Sequence, residues 1–122
     1  MFENVKIIYL EDEPLIAIDT GEYLQSLGFE KVEIAHRLEK ANEAADEMDF
    51  DLALLDINVN GGQTSFELGQ MLSERGTKVV FASGRSSSTQ QIEENGHYFL
   101  SKPFSLVDVR DKLAEILEAS EQ

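Results

Sequence analysis

The chain has 122 residues, enough for one domain with a single sizeable core. Its 42% hydrophobic and 28% charged residues form an ordinary globular composition, while a net charge of −14 disfavours nucleic acid, whose phosphates need a basic footprint. Cysteine is absent, which excludes a disulfide framework and makes a cytoplasmic setting the expectation; the start, MFENVKII, has neither a basic n-region nor a membrane-spanning apolar run.

Five short apolar runs alternate with segments of helical pattern. The first strand is expected at Val5–Leu10 (VKIIYL), followed by a helix over Pro14–Leu27, whose first turn tolerates proline. Lys31–Ala35 sets Val32 and Ile34 against Lys31 and Glu33, an alternation that suits a strand near a sheet edge. A helix over Leu38–Met48 places Ala41, Ala44, Ala45 and Met48 on one face. The third strand is Leu52–Leu55, and the helix Ser65–Glu74 carries Leu68, Met71 and Leu72. The fourth strand is Lys78–Ala82. Gly84–Gly96 holds three serines and a single large apolar residue, Ile92, so it is the weakest segment, with room for one short helix and the greatest mobility. The fifth strand is His97–Leu100, and the last helix, Leu106–Leu117, has Ser105 as its N-cap. Runs one, three and four are almost continuously apolar, as strands covered on both faces should be. Alternating strands and helices imply right-handed crossovers and a parallel sheet, hence one three-layer α/β sandwich with no linker or repeat.

In such a sheet the ligand crevice lies beyond the carboxyl ends of the strands. Glu11, Asp12 and Glu13 follow the first run, Asp56, Ile57 and Asn58 the third, Ser83 and Gly84 the fourth, and Ser101, Lys102 and Pro103 the fifth; His36 and Arg37 follow the second. If the first and third strands are neighbours, Glu11, Asp12 and Asp56 converge, and their repulsion calls for protonation or a cation. A hard divalent ion suits such oxygens. With Lys102 opposite and the Ser83 hydroxyl at hand, the constellation is a candidate phosphoryl-transfer site with an aspartate nucleophile. Taken singly, an acidic turn, a strand-end Asp or a Lys-Pro turn is only a solvated loop feature; their occurrence in order at the required strand ends carries the inference.

The stretches IIYLEDEP, LALLDIN, VVFASG and FLSKPF resemble the receiver domain of bacterial two-component response regulators over essentially the whole chain. The resemblance implies a flavodoxin-like (βα)5 fold with a five-stranded parallel sheet in the order 2-1-3-4-5, spanning 1–122 as one receiver without an output domain. It implies Asp56 as phosphoacceptor, Ser83 as switch hydroxyl, Lys102 as the conserved-motif lysine and Phe99 as the switch aromatic. The implied metal site, for Mg²⁺ or Mn²⁺, takes Asp12, Asp56 and the Asn58 backbone carbonyl, with Glu11 acting through water. A cis Lys102–Pro103 bond belongs to the same pattern. The implied partner is a sensor histidine kinase or a histidine phosphotransfer protein, with neither nucleic acid nor membrane, and the chain a monomer or weak dimer. EDEPLIA, GGQTSF and FASG look most like the stand-alone "FAT GUY" receivers of alphaproteobacteria, which implies a signalling partner or phosphate sink for sensor kinases.

Several residues depart from the family pattern. Phe99 lacks the hydroxyl of the usual tyrosine, Ser83 is smaller than threonine, and VNGGQTS lacks the proline common after the phosphoacceptor. Ser83 to Lys102 spans 102 − 83 = 19 positions, shorter than in most receivers by roughly a helical turn, so the fourth helix is expected to be short or irregular and a dimer through it disfavoured. Arg85, two after Ser83, either tunes the phosphoryl lifetime or is merely solvated. His36 and His97 read as a surface-loop and a strand-edge residue, and EILEASEQ as a solvated helix end. The competing readings are a receiver cut from a longer regulator, a phosphatase of the haloacid-dehalogenase type, and an FMN binder. The phosphatase would want an Asp where Asn58 stands, and the FMN binder a phosphate loop where EDE repels phosphate. The receiver accordingly is expected to be a phosphoacceptor with slow autodephosphorylation rather than an enzyme.

Overall fold

In the computed structural model, which describes residues 1–84 and 89–120, the apolar runs are strands and the amphipathic segments are helices. Along the chain these are β1 (Lys6–Leu10), α1 (Pro14–Ser26), β2 (Lys31–Ala35), α2 (Leu38–Glu47), β3 (Leu52–Asp56), β4 (Asn58–Val59), a 3₁₀ turn (Asn60–Gly62), β5 (Gln63–Thr64), α3 (Phe66–Glu74), β6 (Lys78–Ser83), α4 (Thr89–Glu94), β7 (Tyr98–Ser101) and α5 (Leu106–Ser120). The five long strands form one parallel sheet in the order β2-β1-β3-β6-β7, which is the expected 2-1-3-4-5 once the small ribbon β4–β5 is set aside. Arg85 lies outside the described residues.

Period-two alternation divides the core between the two sheet faces. Ile7, Tyr9, Leu52, Leu54, Val80 and Ala82 face α1 and α5, meeting Leu24, Val109, Leu113 and Ile116. Ile8, Leu10, Ala53, Leu55, Val79 and Phe81 face the opposite way, onto Ala41, Ala45, Leu68, Leu72 and Ile92 of α2, α3 and α4. All five residues of β3 are buried, as its apolar run requires, whereas edge strand β2 buries only Ala35. Each buried leucine of β3 contributes about 2 kcal/mol by its transfer from water. At Gly69 a Cβ would run into the Phe81 ring, so the missing side chain lets α3 settle directly onto it.

Local chemistry sets the element ends. Ser105 Oγ accepts the Asp108 N–H (3.0 Å) while the Asp108 carboxylate accepts the Ser105 N–H (3.0 Å), a reciprocal cap that starts α5 where expected. Among the described residues α4 covers six positions, in keeping with the close spacing of Ser83 and Lys102. The ribbon β4–β5 was not expected: its strands are too short for periodicity, yet Asn60-Gly61-Gly62 is a turn signature. Gly61 and Gly62 sit at φ 71° and 82°, where side chains are disfavoured.

Candidate functional site

Two backbone bonds carry the sheet pattern one residue past its strands. The Glu11 N–H donates to the Ala35 carbonyl (3.0 Å), and the Lys102 N–H to the Ser83 carbonyl (2.9 Å). Alternation then puts Glu11 (after Ile7 and Tyr9), Asp56 (after Leu52 and Leu54) and Lys102 (after Tyr98 and Leu100) on the same face of the sheet. Their side chains meet there. Lys102 Nζ lies 2.7 Å from Glu11 Oε1 and 3.3 Å from Asp56 Oδ1. Glu11 Oε2 accepts the Glu13 N–H at 3.1 Å, so both oxygens of this fully buried carboxylate are engaged. Asp12 completes the group: ligand oxygens of Glu11, Asp12 and Asp56 all lie within 4.8 Å of one another. The acidic turn EDE is therefore divided. Its first residue is held inside by the β2 bond, while Glu13 is exposed.

Three carboxylates face one ammonium, and the charge imbalance registers on Asp56. Burial, then the Glu11 charge, push its pKa from 3.8 up to about 7, against the downward pull of Lys102. Burial by itself would lower the Lys102 pKa; the bond to Glu11 and the charges of Asp56 and Glu11 outweigh it and hold the ammonium above its ordinary value. The lysine, expected opposite the carboxylates as a group, is shared between two of them and lies closer to Glu11 than to Asp56. Such a group favours any additional positive charge that brings little desolvation of its own.

The two residues expected to act as a switch lie on the other face. Ser83 follows Val79 and Phe81 along β6 and is buried. Phe99 pairs with Phe81 across β6–β7 and packs, half-buried, against the α2–α3–α4 side of the core. The peptide Lys102–Pro103 is cis, as the motif implied. Asn58 opens the ribbon. The Ser65 N–H donates to the Ile57 carbonyl (3.0 Å), which makes 57 opposite 65 a hydrogen-bonded position. Antiparallel ladders alternate, so the next pair, Asn58 with Thr64, exchanges no backbone bonds and leaves the Asn58 carbonyl unclaimed by the ribbon.

His36 is exposed, as expected of a surface loop. His97, directly ahead of the edge strand β7, is buried. Its Nε2 stands 3.2 Å from Gln70 Oε1, its ring meets Phe81 edge-on at 5.3 Å, and burial lowers its pKa. It lines a cavity of about 380 Å³ with Phe66, Gln70, Phe81, Ile92 and Asn95, which shares no residue with the carboxylate group. Sequence reasoning also missed Ser65, whose buried hydroxyl donates to the Asp56 carbonyl (2.7 Å). A second groove adjoins the carboxylates, lined by Ile16, Thr20, Lys102, Pro103 and Phe104. Ile16 on its wall is half-exposed, and Leu15, Ile18 and Val107 are further exposed apolar side chains of α1 and α5.

The family model described as the response regulator receiver domain matches residues 7–114. Among solved structures, a CheY-like receiver domain protein from Methanospirillum hungatei JF-1 superimposes with a TM-score of 0.85 at 24% identity, covering 97% of both chains. The chemotaxis regulator CheY4 of Vibrio cholerae gives 0.79 at 24% identity over 93% of this chain and 98% of its own. Response regulator TrrA of Thermotoga maritima, solved in complex with Mg²⁺-BeF, gives 0.77 at 21% identity over 91% and 97%. At these identities the structures share the fold. No curated protein sequence matches the chain.

Proposed function

Because this chain belongs to the response regulator receiver domain family, we propose that it accepts a phosphoryl group on Asp56 from a phosphohistidine of a sensor histidine kinase, or of a histidine phosphotransfer protein, in a reaction dependent on Mg²⁺ or Mn²⁺. The observation that carries the reading is a buried aspartate at the end of a central strand, raised to about pKa 7 and grouped with two further carboxylates and one lysine.

The donor set fits a hard divalent ion: carboxylate oxygens within 4.8 Å of one another, and, two residues after Asp56, a backbone carbonyl that the β4–β5 ribbon does not use. Asp12, Asp56 and the Asn58 carbonyl would hold it. Glu11, whose two oxygens already accept from Lys102 and the Glu13 N–H, would act through water. When bound, the ion supplies positive charge against the carboxylates and the phosphoryl oxygens. TrrA, with its Mg²⁺-BeF, is a precedent for such a site on this fold.

The chain's own residues then do the following. An Asp56 carboxylate oxygen attacks phosphorus in line; the new O–P bond forms as the P–N bond breaks, and its electron pair stays on the imidazole nitrogen. Lys102 trades one carboxylate partner for a phosphoryl oxygen, which its position between Glu11 and Asp56 permits without a large movement. Ser83 and Phe99 are the switch pair: Ser83 shares a backbone bond with Lys102, and Phe99 packs on the face toward α4, so an altered charge at Asp56 is read out through that side. The groove that includes Lys102, with the exposed apolar Ile16 on its wall, offers a surface against which a protein phosphodonor can pack. With Asn58 in place of a second acid, hydrolysis of the acyl phosphate is slow and the protein is a phosphoacceptor, not a turnover phosphatase. Its action as a separate signalling partner or phosphate sink is part of the same proposal and rests on EDEPLIA, GGQTSF and FASG.

Incubation with acetyl phosphate tests the reading. Phosphorylation that is stable in mild acid, labile to hydroxylamine, abolished by EDTA and absent from Asp56→Asn is expected. Steady release of phosphate from small esters without a stable adduct would replace the receiver reading by the phosphatase one.

A further inference from the structure

Ser65 stands at the N-cap position of α3, where a serine ordinarily accepts a hydrogen bond from the first helical turn. It makes no such bond. Its hydroxyl points back nine residues and donates to the Asp56 carbonyl at 2.7 Å, while its N–H donates to the Ile57 carbonyl at 3.0 Å. The residue is completely buried. One side chain and its own backbone thus hold two consecutive carbonyls immediately ahead of Asn58. On the other side of the same turn, the Ile57 N–H is tied to the Ala82 carbonyl (3.0 Å). These bonds fix the peptide planes of Asp56 and Ile57. They also set the register in which Asn58 faces Thr64 without backbone bonds, and so keep the Asn58 carbonyl available.

We infer that Ser65 is a positioning residue: its hydroxyl, diverted from capping α3, clamps the turn after Asp56 so that the Asn58 carbonyl is presented to a divalent cation. The inference rests on the receiver reading for the identity of that cation. Groups that orient metal ligands without touching the metal have effects of about tenfold or more on affinity, whereas a hydroxyl with a purely structural bond affects stability alone.

Mg²⁺ titration by calorimetry of the intact chain separates the two. Ser65→Ala is expected to weaken Mg²⁺ binding about tenfold. It is also expected to raise the Mg²⁺ concentration needed for half-maximal phosphorylation by acetyl phosphate, with the rate at saturating Mg²⁺ largely retained. Ser65→Thr, which keeps the donor, retains the wild-type affinity within about twofold. Thr77→Val serves as the structural control, because the buried Thr77 hydroxyl donates to the Phe50 carbonyl (2.8 Å) at the far end of the sheet; it lowers the melting temperature and leaves Mg²⁺ affinity unchanged. An alanine variant that binds Mg²⁺ as the wild type does overturns the inference. So does a threonine variant that loses as much as alanine. A wild-type chain that binds Mg²⁺ normally but takes no phosphoryl group refutes the receiver reading and leaves the Ser65 result to stand or fall on affinity; one that binds no Mg²⁺ overturns both.

Discussion

In the absence of divalent cations, Asp56→Asn should make the protein more stable at neutral and alkaline pH. Asparagine preserves the shape of the side chain and removes only its charge. In the folded chain, burial and Glu11 raise the Asp56 pKa from 3.8 to about 7, even with Lys102 beside it. The folded state therefore binds its proton more tightly than the unfolded state does. Between about pH 4 and pH 7 the native protein holds more protons, so this group's contribution to stability falls as pH rises through that window. Above the folded pKa the full cost of ionising Asp56 is present, and below the unfolded value it vanishes. The rise of about three pH units, at about 1.4 kcal/mol each, sets a ceiling of about 4 kcal/mol. Local relaxation and water entry bring the expected gain to about 2–4 kcal/mol, or roughly 6–15 °C in Tm for a chain of this length.

The assay is urea denaturation of wild type and Asp56→Asn in EDTA across that pH range. The gap between the two should be near zero at the acid end and widest near pH 8. Added Mg²⁺ should close it by stabilising the wild type, by about 2.7 kcal/mol at a hundredfold excess over Kd. A variant no more stable than wild type at pH 8, or a gap independent of pH, would refute the electrostatic reasoning.

Three further outcomes follow from the same contacts. Lys102→Ala leaves Glu11 and Asp56 facing each other without their cation; metal-free stability at pH 8 should drop by about 3 kcal/mol, and less near pH 5, where Asp56 takes up a proton, as denaturation at both pH values will report. Gly69→Ala drives a methyl into the Phe81 ring and should cost about 1–3 kcal/mol, measured by thermal melting, with the His97 imidazole resonances shifted because that ring packs on Phe81. Ser105→Ala removes the α5 cap and should cost about 1 kcal/mol without changing Mg²⁺ affinity.

The large features of the fold were legible because they rest on patterns that span several residues. The unbroken apolar run of β3 demanded a doubly covered strand, and KVEIA demanded an edge; both are found there. The carboxylate group was legible for the same reason, since parallel strands deliver their following residues to one edge and alternation selects the face. What escaped depends on contacts between distant segments. Nothing local to EDE distinguishes the buried Glu11 from the exposed Glu13, because the difference is a backbone bond to β2 and a lysine 91 positions away. His97 looked like a strand end, and its burial is decided by the docking of α3 and α4 over Phe81. The ribbon carried its signal in Asn60-Gly61-Gly62, but two-residue strands have no periodicity with which to support it. Ser65 was visible only as the opening residue of a helix. Its hydroxyl could equally have capped α3, and the choice is settled by the position of the Asp56 carbonyl.

The most direct test of the account is the location of the phosphoryl group. After reaction with acetyl phosphate and Mg²⁺, borohydride reduction and peptide mapping should place the modification on Asp56 alone, and chelation of Mg²⁺ should abolish it. Modification at Asp12, Glu11 or either histidine instead, or labelling of equal extent in EDTA, would contradict the account.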